Sequence, residues 1–211
     1  MPADNTQLRS RPHQARSRAT FQRILETAAI LLDEVGWEGF NNNLLAERSG
    51  HRPAAIYRYF PNKLAIVSAL AEQHLGEWNE RLEGFDRQLE GSADLTEAWS
   101  YFVRRFPDFV KSQRGGVAVR RAMQASPTLR DIDQRDNAHI ASVLASSLGR
   151  VMPHLDAGEA ATASRLLLES AVSILDHAVE AKPAETQRMI DELLIMHATY
   201  FDQLRSRRKP T

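Results

Sequence analysis

The chain has 211 residues, 43% of them hydrophobic, with no cysteine and no net formal charge. This length allows one or two domains with a proper core. No apolar run approaches the ~20 residues of a membrane-spanning helix, and no secretory signal is evident at the N-terminus, so we expect a soluble chain without a membrane partner. Without cysteine there is neither a disulfide framework nor a thiolate metal site, which agrees with a cytoplasmic location.

Basic side chains are concentrated near the N-terminus. Residues 1–63 hold more Lys and Arg than Asp and Glu, and the remainder holds fewer. Residues 1–15 are polar and contain Arg9 and Arg11, so we expect a flexible basic arm. Its side chains are either solvated or in contact with DNA phosphate or the minor groove, and the sequence leaves both possibilities open.

The first helix is predicted from about Arg16 to Val35. Apolar residues recur there at steps of three and four, which is typical of a helix with one buried face. Gly36 is a natural left-handed stop. This helix would pack behind the segment that follows it.

Residues 36–66 predict two short helices joined by a glycine turn. Asn41 is placed to cap the first helix, Gly50 ends it, and Pro53 suits the first turn of the second. Ile56 and Phe60 are four residues apart and would face inward. The remaining aromatic and basic side chains of the second helix would then face solvent, as a helix in a DNA groove requires.

These residues resemble the helix-turn-helix of TetR-type transcriptional regulators. The resemblance covers roughly Thr20 to Val67, and the run Ile56-Tyr57-Arg58-Tyr59-Phe60-Pro61-Asn62-Lys63 is its most specific part. It implies a repressor that binds a palindromic operator as a dimer and that is released by a small effector. The predicted DNA-contacting residues are Asn41, Arg52, Ala55, Tyr57, Arg58, Tyr59 and Lys63.

The arginines and the lysine of this set have different predicted roles. Arg52 and Arg58 are candidates for guanine edges, because a guanidinium matches O6 and N7. Lys63 lies in the first turn of its helix, where the dipole disfavours a cation, so an external phosphate would explain its position. Asn41, Arg52 and Pro53 depart from the family's usual residues, which leaves the operator sequence undetermined.

The rest of the chain also has helical patterns, beginning with a long helix that Asn62 would cap and that would end near Gly84. The predicted fold is all-α: a three-helix DNA-binding domain with a helix-turn-helix, followed by a helical ligand-binding and dimerisation domain, with about nine helices in total. The predicted divisions are 1–15 for the arm, 16–66 for DNA binding, and 67–211 for effector binding and dimerisation. The last two helices are broadly apolar, so we predict a homodimer through them.

Aromatic, methionine and histidine side chains of the second domain are candidates for contact with a lipophilic or aromatic effector. Aromatics at helical spacing also fit an ordinary packed core, and this alternative stays open. The candidates are Trp78, Trp99, Phe102, Phe106, Phe109, Met123, His139 and His177.

Catalysis is not supported by the sequence. It contains no Gly-x-Ser-x-Gly elbow, no Gly-rich phosphate loop with its lysine and no His-Glu-x-x-His, and we expect neither a metal nor a cofactor. A protein-interaction adaptor without DNA binding, and less so a helical enzyme, remain as alternatives. The operator, the effector and the sign of regulation are not determined by these patterns.

Overall fold

The computed structural model describes residues 6–10, 12–90 and 94–207, with the side chains of 82–90 left out. Within these ranges the chain forms nine α-helices and no strand. The prediction of an all-α fold is confirmed. The helices are α1 (Ala15–Gly39), α2 (Asn42–Ser49), α3 (Pro53–Tyr57), α4 (Lys63–Glu90), α5 (Leu95–Ser112), α6 (Gly116–Ala125), α7 (Pro127–Val151), α8 (Ala157–Glu180) and α9 (Pro183–Ser206).

The described residues form two compact units. The first comprises the chain up to Gly76 together with Lys111–Gln134, and the second comprises Glu77–Val110 together with the chain from Arg135 onward. This division differs from the predicted boundary after residue 66. The reason is packing: α6 and the start of α7 share the apolar core of α1 and belong to the first unit.

The core of the first unit is built on the apolar face of α1. Ile24, Leu31 and Leu32 are fully buried there, and α6 adds Val119 and Met123. The two helices approach closely at Gly115, whose φ of 72° and contact with the backbone of Ala29 leave no room for a side chain. The Gly115 amide also donates to the Asp33 carboxylate at 3.1 Å.

In the second unit, α8 and α9 pack against each other. Asp156 caps α8 by accepting from the Glu159 amide, while the Glu159 carboxylate accepts from the Asp156 amide, which is the predicted capping box. Buried Ser164 donates to the Ala160 carbonyl within the same helix, so its hydroxyl is satisfied. Small side chains on α8 thus lie in the interior without an unpaired polar group.

One predicted helix end is interrupted as expected and one differs. Gly36, with a φ of 66°, breaks the helix where the stop was predicted, and helical geometry resumes beyond this kink up to Gly39. The long helix α4 runs past Gly84 to Glu90, because one glycine inside a helix costs only about 1 kcal/mol.

Among the described residues, no helix combines the length and apolarity that crossing a membrane requires. In the same residues, no cluster of three or more His, Asp or Glu side chains is arranged to hold a metal ion.

Candidate functional site

The α2–α3 segment has the geometry of a helix-turn-helix. The Asn41 side-chain oxygen accepts from the amides of Asn43 and Leu44 at 3.1 and 3.0 Å, which caps α2. Gly50 ends α2 with a φ of 68°, and its amide donates to the Ala46 and Glu47 carbonyls. Pro53 then occupies the first turn of α3, as predicted.

The outer face of α3 carries three large exposed side chains. Ile56 and Phe60 are fully buried and fix which side of the helix faces the core. Arg52 and Arg58 are exposed, and Tyr57 has 38% of its surface accessible. Within the described residues, the side chains of these three make no hydrogen bond or ion pair, so they are available to an external ligand. Ala55, also predicted to contact DNA, is half-buried beside them.

Tyr59 does not share this face, and the expectation that it faces solvent is wrong. Only 5% of its surface is accessible, and its ring makes an edge contact with Phe21 at 5.6 Å between centroids. The reason is that α3 ends at Tyr57. The helical projection that placed Tyr59 outward therefore no longer applies, and its side chain packs beside Phe60.

Lys63 has partners inside the protein. Its ammonium donates to the Trp37 carbonyl at 3.2 Å and lies 4.1 Å from the centroid of the Trp37 ring. These contacts offset the unfavourable dipole at the start of α4. Lys63 therefore does not need an external phosphate to explain its position, and a DNA contact by this residue stays a prediction.

Asn41 also uses its side chain within the protein. Besides capping α2, its amide nitrogen donates to the Gly39 carbonyl at 3.3 Å. The side chain is exposed, and its contact with DNA is untested.

Part of the N-terminal arm is bound to the end of α3. The Arg9 amide donates to the Tyr59 carbonyl at 2.9 Å, and its guanidinium donates to the Tyr57 carbonyl at 3.3 Å. This differs from the flexible arm that we expected, and sequence reasoning did not identify it, because a single arginine in a polar segment gives no signal of its partner. Arg11 lies outside the described residues.

Most of the predicted effector-contacting aromatics form a packed cluster in the second unit. The Trp78 ring lies 4.4, 5.1 and 5.0 Å from the rings of Phe102, Phe106 and Phe109, measured between centroids. Trp99 stacks on Phe102 at 6.0 Å. All but half-buried Phe106 are buried, and in this conformation the rings contact one another.

Three predicted effector residues lie elsewhere. Met123 belongs to the core of the first unit, because α6 packs on α1. His139 and His177 are exposed on the outer faces of α7 and α8. The contact of these three residues with an effector stays a prediction.

A series of side-chain hydrogen bonds, which was not predicted from the sequence, connects α5, α8 and α9. The Trp99 indole donates to Nδ1 of His197 at 2.9 Å, and Nε2 of His197 lies 2.9 Å from Ser170 Oγ. Because the indole only donates, Nδ1 must accept and Nε2 must carry the proton. Ser170 in turn donates to the Leu166 carbonyl. Burial lowers the pKa of His197 to about 4, which keeps the ring neutral.

The direction of these hydrogen bonds bears on catalysis. A histidine that activates a serine accepts the hydroxyl proton at the nitrogen facing that serine. Here that nitrogen already carries a proton, which it donates to Ser170. The Ser170–His197 pair therefore has the opposite polarity to a nucleophilic dyad.

Comparison with known proteins identifies relatives for both halves of the chain. Residues 24–70 match the family described as bacterial regulatory proteins, tetR family, and residues 94–200 match the tetracyclin repressor-like C-terminal domain. The class C tetracycline repressor protein of Escherichia coli is 44% identical over 54 residues, which cover 26% of this chain and 25% of the repressor. The chain thus matches about a quarter of that curated relative.

Solved structures extend the similarity over nearly the whole chain. A TetR-family regulator from Mesorhizobium loti superimposes with a TM-score of 0.68 and 16% identity, covering 89% of this chain and 98% of the other. SmeT in complex with triclosan gives a TM-score of 0.65 and 18% identity, covering 86% and 91%. At these identities the superpositions establish the shared fold.

Proposed function

We propose, on the premise that this chain belongs to the TetR family of bacterial regulatory proteins, that it represses transcription by binding a palindromic operator as a homodimer. The resemblance recognised in residues 36–63 is confirmed by the family matches over residues 24–70 and 94–200. We place its work in the cytoplasm, where the DNA of a bacterium lies. Release from the operator would follow the binding of a small lipophilic or aromatic effector.

The observation that carries the DNA-binding proposal is the outer face of α3. Arg52, Tyr57 and Arg58 are exposed, while Ile56 and Phe60 hold the opposite side of the helix in the core. A short helix that presents two guanidinium groups and a phenol suits the major groove, which admits a helix and offers guanine O6 and N7 as paired acceptors. Two copies related by a two-fold axis would read two half-sites.

Selection of bound sequences from random DNA tests this proposal. The expected result is a palindromic consensus whose half-sites are separated by about one helical turn or more. Unchanged mobility on every duplex, with a stable protein partner recovered instead, would favour the adaptor alternative.

Arg58→Ala should reduce discrimination between the selected operator and a version with a changed half-site. The expected loss is about 1–3 kcal/mol, because one guanidinium contact with a base edge is removed. Competition binding at fixed salt measures it. The matched control is Arg114→Ala, which removes an exposed arginine from the turn before α6 and should leave discrimination unchanged. If the parent and Arg58→Ala discriminate equally between the two operators, Arg58 does not contact the base edges.

The homodimer is proposed through α8 and α9. Leu166 on α8 and Ile195 and Met196 on α9 have 56%, 61% and 51% of their surfaces exposed, so both helices leave large apolar side chains uncovered. A second copy that covers both helices would bury them in a four-helix interface.

Ile195→Asp should convert the dimer into a monomer, because it places a charge in the proposed apolar interface. Light scattering at micromolar concentration measures the mass. Tyr101→Asp is the matched control, since Tyr101 is equally exposed but lies on α5. A parent chain that is monomeric, or an Ile195→Asp variant that remains dimeric, would overturn the proposed interface.

The effector is proposed to bind at the aromatic cluster of the second unit. The rings of Trp78, Phe102, Phe106 and Phe109 would suit an aromatic ligand, but they now contact one another, so binding would have to separate them. Release also requires that the effector prefer the conformation that does not bind DNA, because equal affinity shifts no population. Tryptophan fluorescence that stays constant across a panel of aromatic compounds would contradict this site.

A further inference from the structure

The recognition helix α3 is too short to fix its own direction. It has five residues, Pro53–Tyr57, whereas isolated helices shorter than ~12 residues are marginal in water. No side chain caps its first turn, because Arg52 at the N-cap makes no capping hydrogen bond. Its orientation must therefore come from contacts made by the rest of the first unit.

The inner side of α3 is held by apolar contacts. Ile56 and Phe60 are fully buried, and Phe21 of α1 stacks on Phe60 at 4.9 Å and meets the edge of Tyr59. These contacts fix which side faces the core. The carbonyl groups of Ala54 and Ile56 accept from the amides that follow α3, whereas apolar contacts give the Tyr57 carbonyl at its end no donor.

Arg9 supplies a donor to the Tyr57 carbonyl at the end of α3 and another to the Tyr59 carbonyl two residues beyond it. Its guanidinium donates to Tyr57, and its backbone amide donates to Tyr59. A cation is also electrostatically favourable at the C-terminal end of a helix. One exposed residue of the arm thus bonds on either side of Arg58, the side chain predicted to read bases.

Leu8 also anchors the arm. Its side chain is half-buried and packs against the hydrophobic core of the first unit, beside an open cavity of about 460 Å³ that Phe21, Leu25 and Ala69 also line. This apolar contact holds the arm on the first unit but gives no hydrogen-bond donor to the end of α3. The hydrogen bonds of Arg9 supply such donors.

We propose that Arg9 is a positioning residue for the recognition helix: it ties the N-terminal arm to the carbonyl groups of Tyr57 and Tyr59 and so orders the end of α3 before DNA arrives. This rests on the proposed DNA-binding function, and it assigns the guanidinium to the protein's own backbone and not to phosphate. An ordered recognition helix binds more tightly, because less conformational entropy is lost on association.

Hydrogen exchange of the full chain without DNA tests the link directly. The amides of Arg58, Tyr59 and Phe60 are bonded to the carbonyls of Ala54 and Ile56, so their exchange reports opening of this helix end. Arg9→Ala should speed their exchange about threefold or more, and Arg9→Pro, which also removes the backbone donor, should speed it further. Arg16→Ala is the control, since it removes an exposed arginine at the start of α1 and should leave these rates unchanged.

Operator binding distinguishes positioning from phosphate contact. Arg9→Ala should weaken binding about threefold to tenfold while leaving the slope of log K against log salt unchanged, because no phosphate contact is lost. A slope reduced by about 0.9 would assign Arg9 to phosphate and overturn the proposal. Unchanged exchange in both Arg9 variants would overturn it as well, as would faster exchange with unchanged operator affinity.

Failure of the proposed DNA-binding function would be seen separately. In that case the parent chain selects no DNA, while the exchange measurement still reports whether Arg9 holds the end of α3. Circular dichroism of both Arg9 variants should match the parent, because the substituted side chain is exposed.

Discussion

The α2–α3 segment and the aromatic cluster of the second unit are both candidate functional regions, yet the sequence predicts their structures with very different success. In α2–α3 the signals are local: Asn41 caps, Gly50 ends a helix and Pro53 begins the next, all within a few residues. In the cluster, Trp78 meets rings that follow it by more than twenty positions along the chain. Local hydrogen bonding is encoded residue by residue, whereas ring packing depends on how whole helices meet.

The largest expected effect is that of Trp78→Ala. If the cluster is mainly packed core, removing this buried ring should lower the free energy of unfolding by about 3–5 kcal/mol. Urea denaturation followed by circular dichroism measures it. Tyr101→Ala is the control, because Tyr101 is exposed and should cost less than about 0.5 kcal/mol. A Trp78→Ala variant of parental stability that loses effector binding would show that the rings exist chiefly for the ligand.

The free energy of unfolding should also decrease as the pH is lowered through the range in which His197 is protonated in the unfolded chain but neutral in the folded chain. The ordinary pKa of 6.5 applies to the unfolded state, and burial lowers the folded value to about 4. The unfolded chain therefore binds a proton first, so the contribution is complete above pH ~6.5 and is lost progressively towards pH ~4, by roughly 3 kcal/mol in all.

His197→Gln isolates this contribution. A glutamine can accept from Trp99 and donate to Ser170 but cannot be protonated, so its stability should vary less between pH ~6.5 and ~4 than that of the parent. His139→Gln is the control, because His139 is exposed. Hydrogen bonding lowers the pKa of Asp94 and of Asp191 below 3.8, so their effects appear only at lower pH. An unchanged pH profile in His197→Gln would show that another group dominates acid destabilisation.

These cases show what the sequence determines and what it does not. The all-α fold follows from helical periodicity, and the helix-turn-helix follows from cap and turn residues. Tyr59 was misplaced because the helical projection was continued past Tyr57, where α3 ends. The internal partner of Lys63 was not predicted, because Trp37 lies 26 positions away in the sequence and the helix dipole involves α4 alone.

The buried partners of His197 and the hydrogen bonds from Arg9 to the end of α3 could not be predicted from the sequence for the same reason. Trp99 and His197 are 98 positions apart, and Arg9 and Tyr57 are 48 apart. No local pattern relates such pairs. The proposed effector site depends on contacts of this kind. Residue type and spacing therefore identify candidate ligand-contacting residues there but do not show which of them contact the ligand.

The smallest effect tests the local side of the comparison. Asn41, Asn42 and Asn43 are consecutive, but only Asn41 caps α2, while Asn43 is exposed on the first turn. Asn41→Ala should therefore lower the free energy of unfolding by about 1 kcal/mol. Asn43→Ala should change it by a few tenths and in the stabilising direction, since alanine has the higher helix propensity. Urea denaturation of both variants makes the comparison at constant side-chain chemistry. Equal effects would mean that α2 is held in place by the burial of Leu45 and Ala46, so that tertiary packing and not the cap defines even this segment.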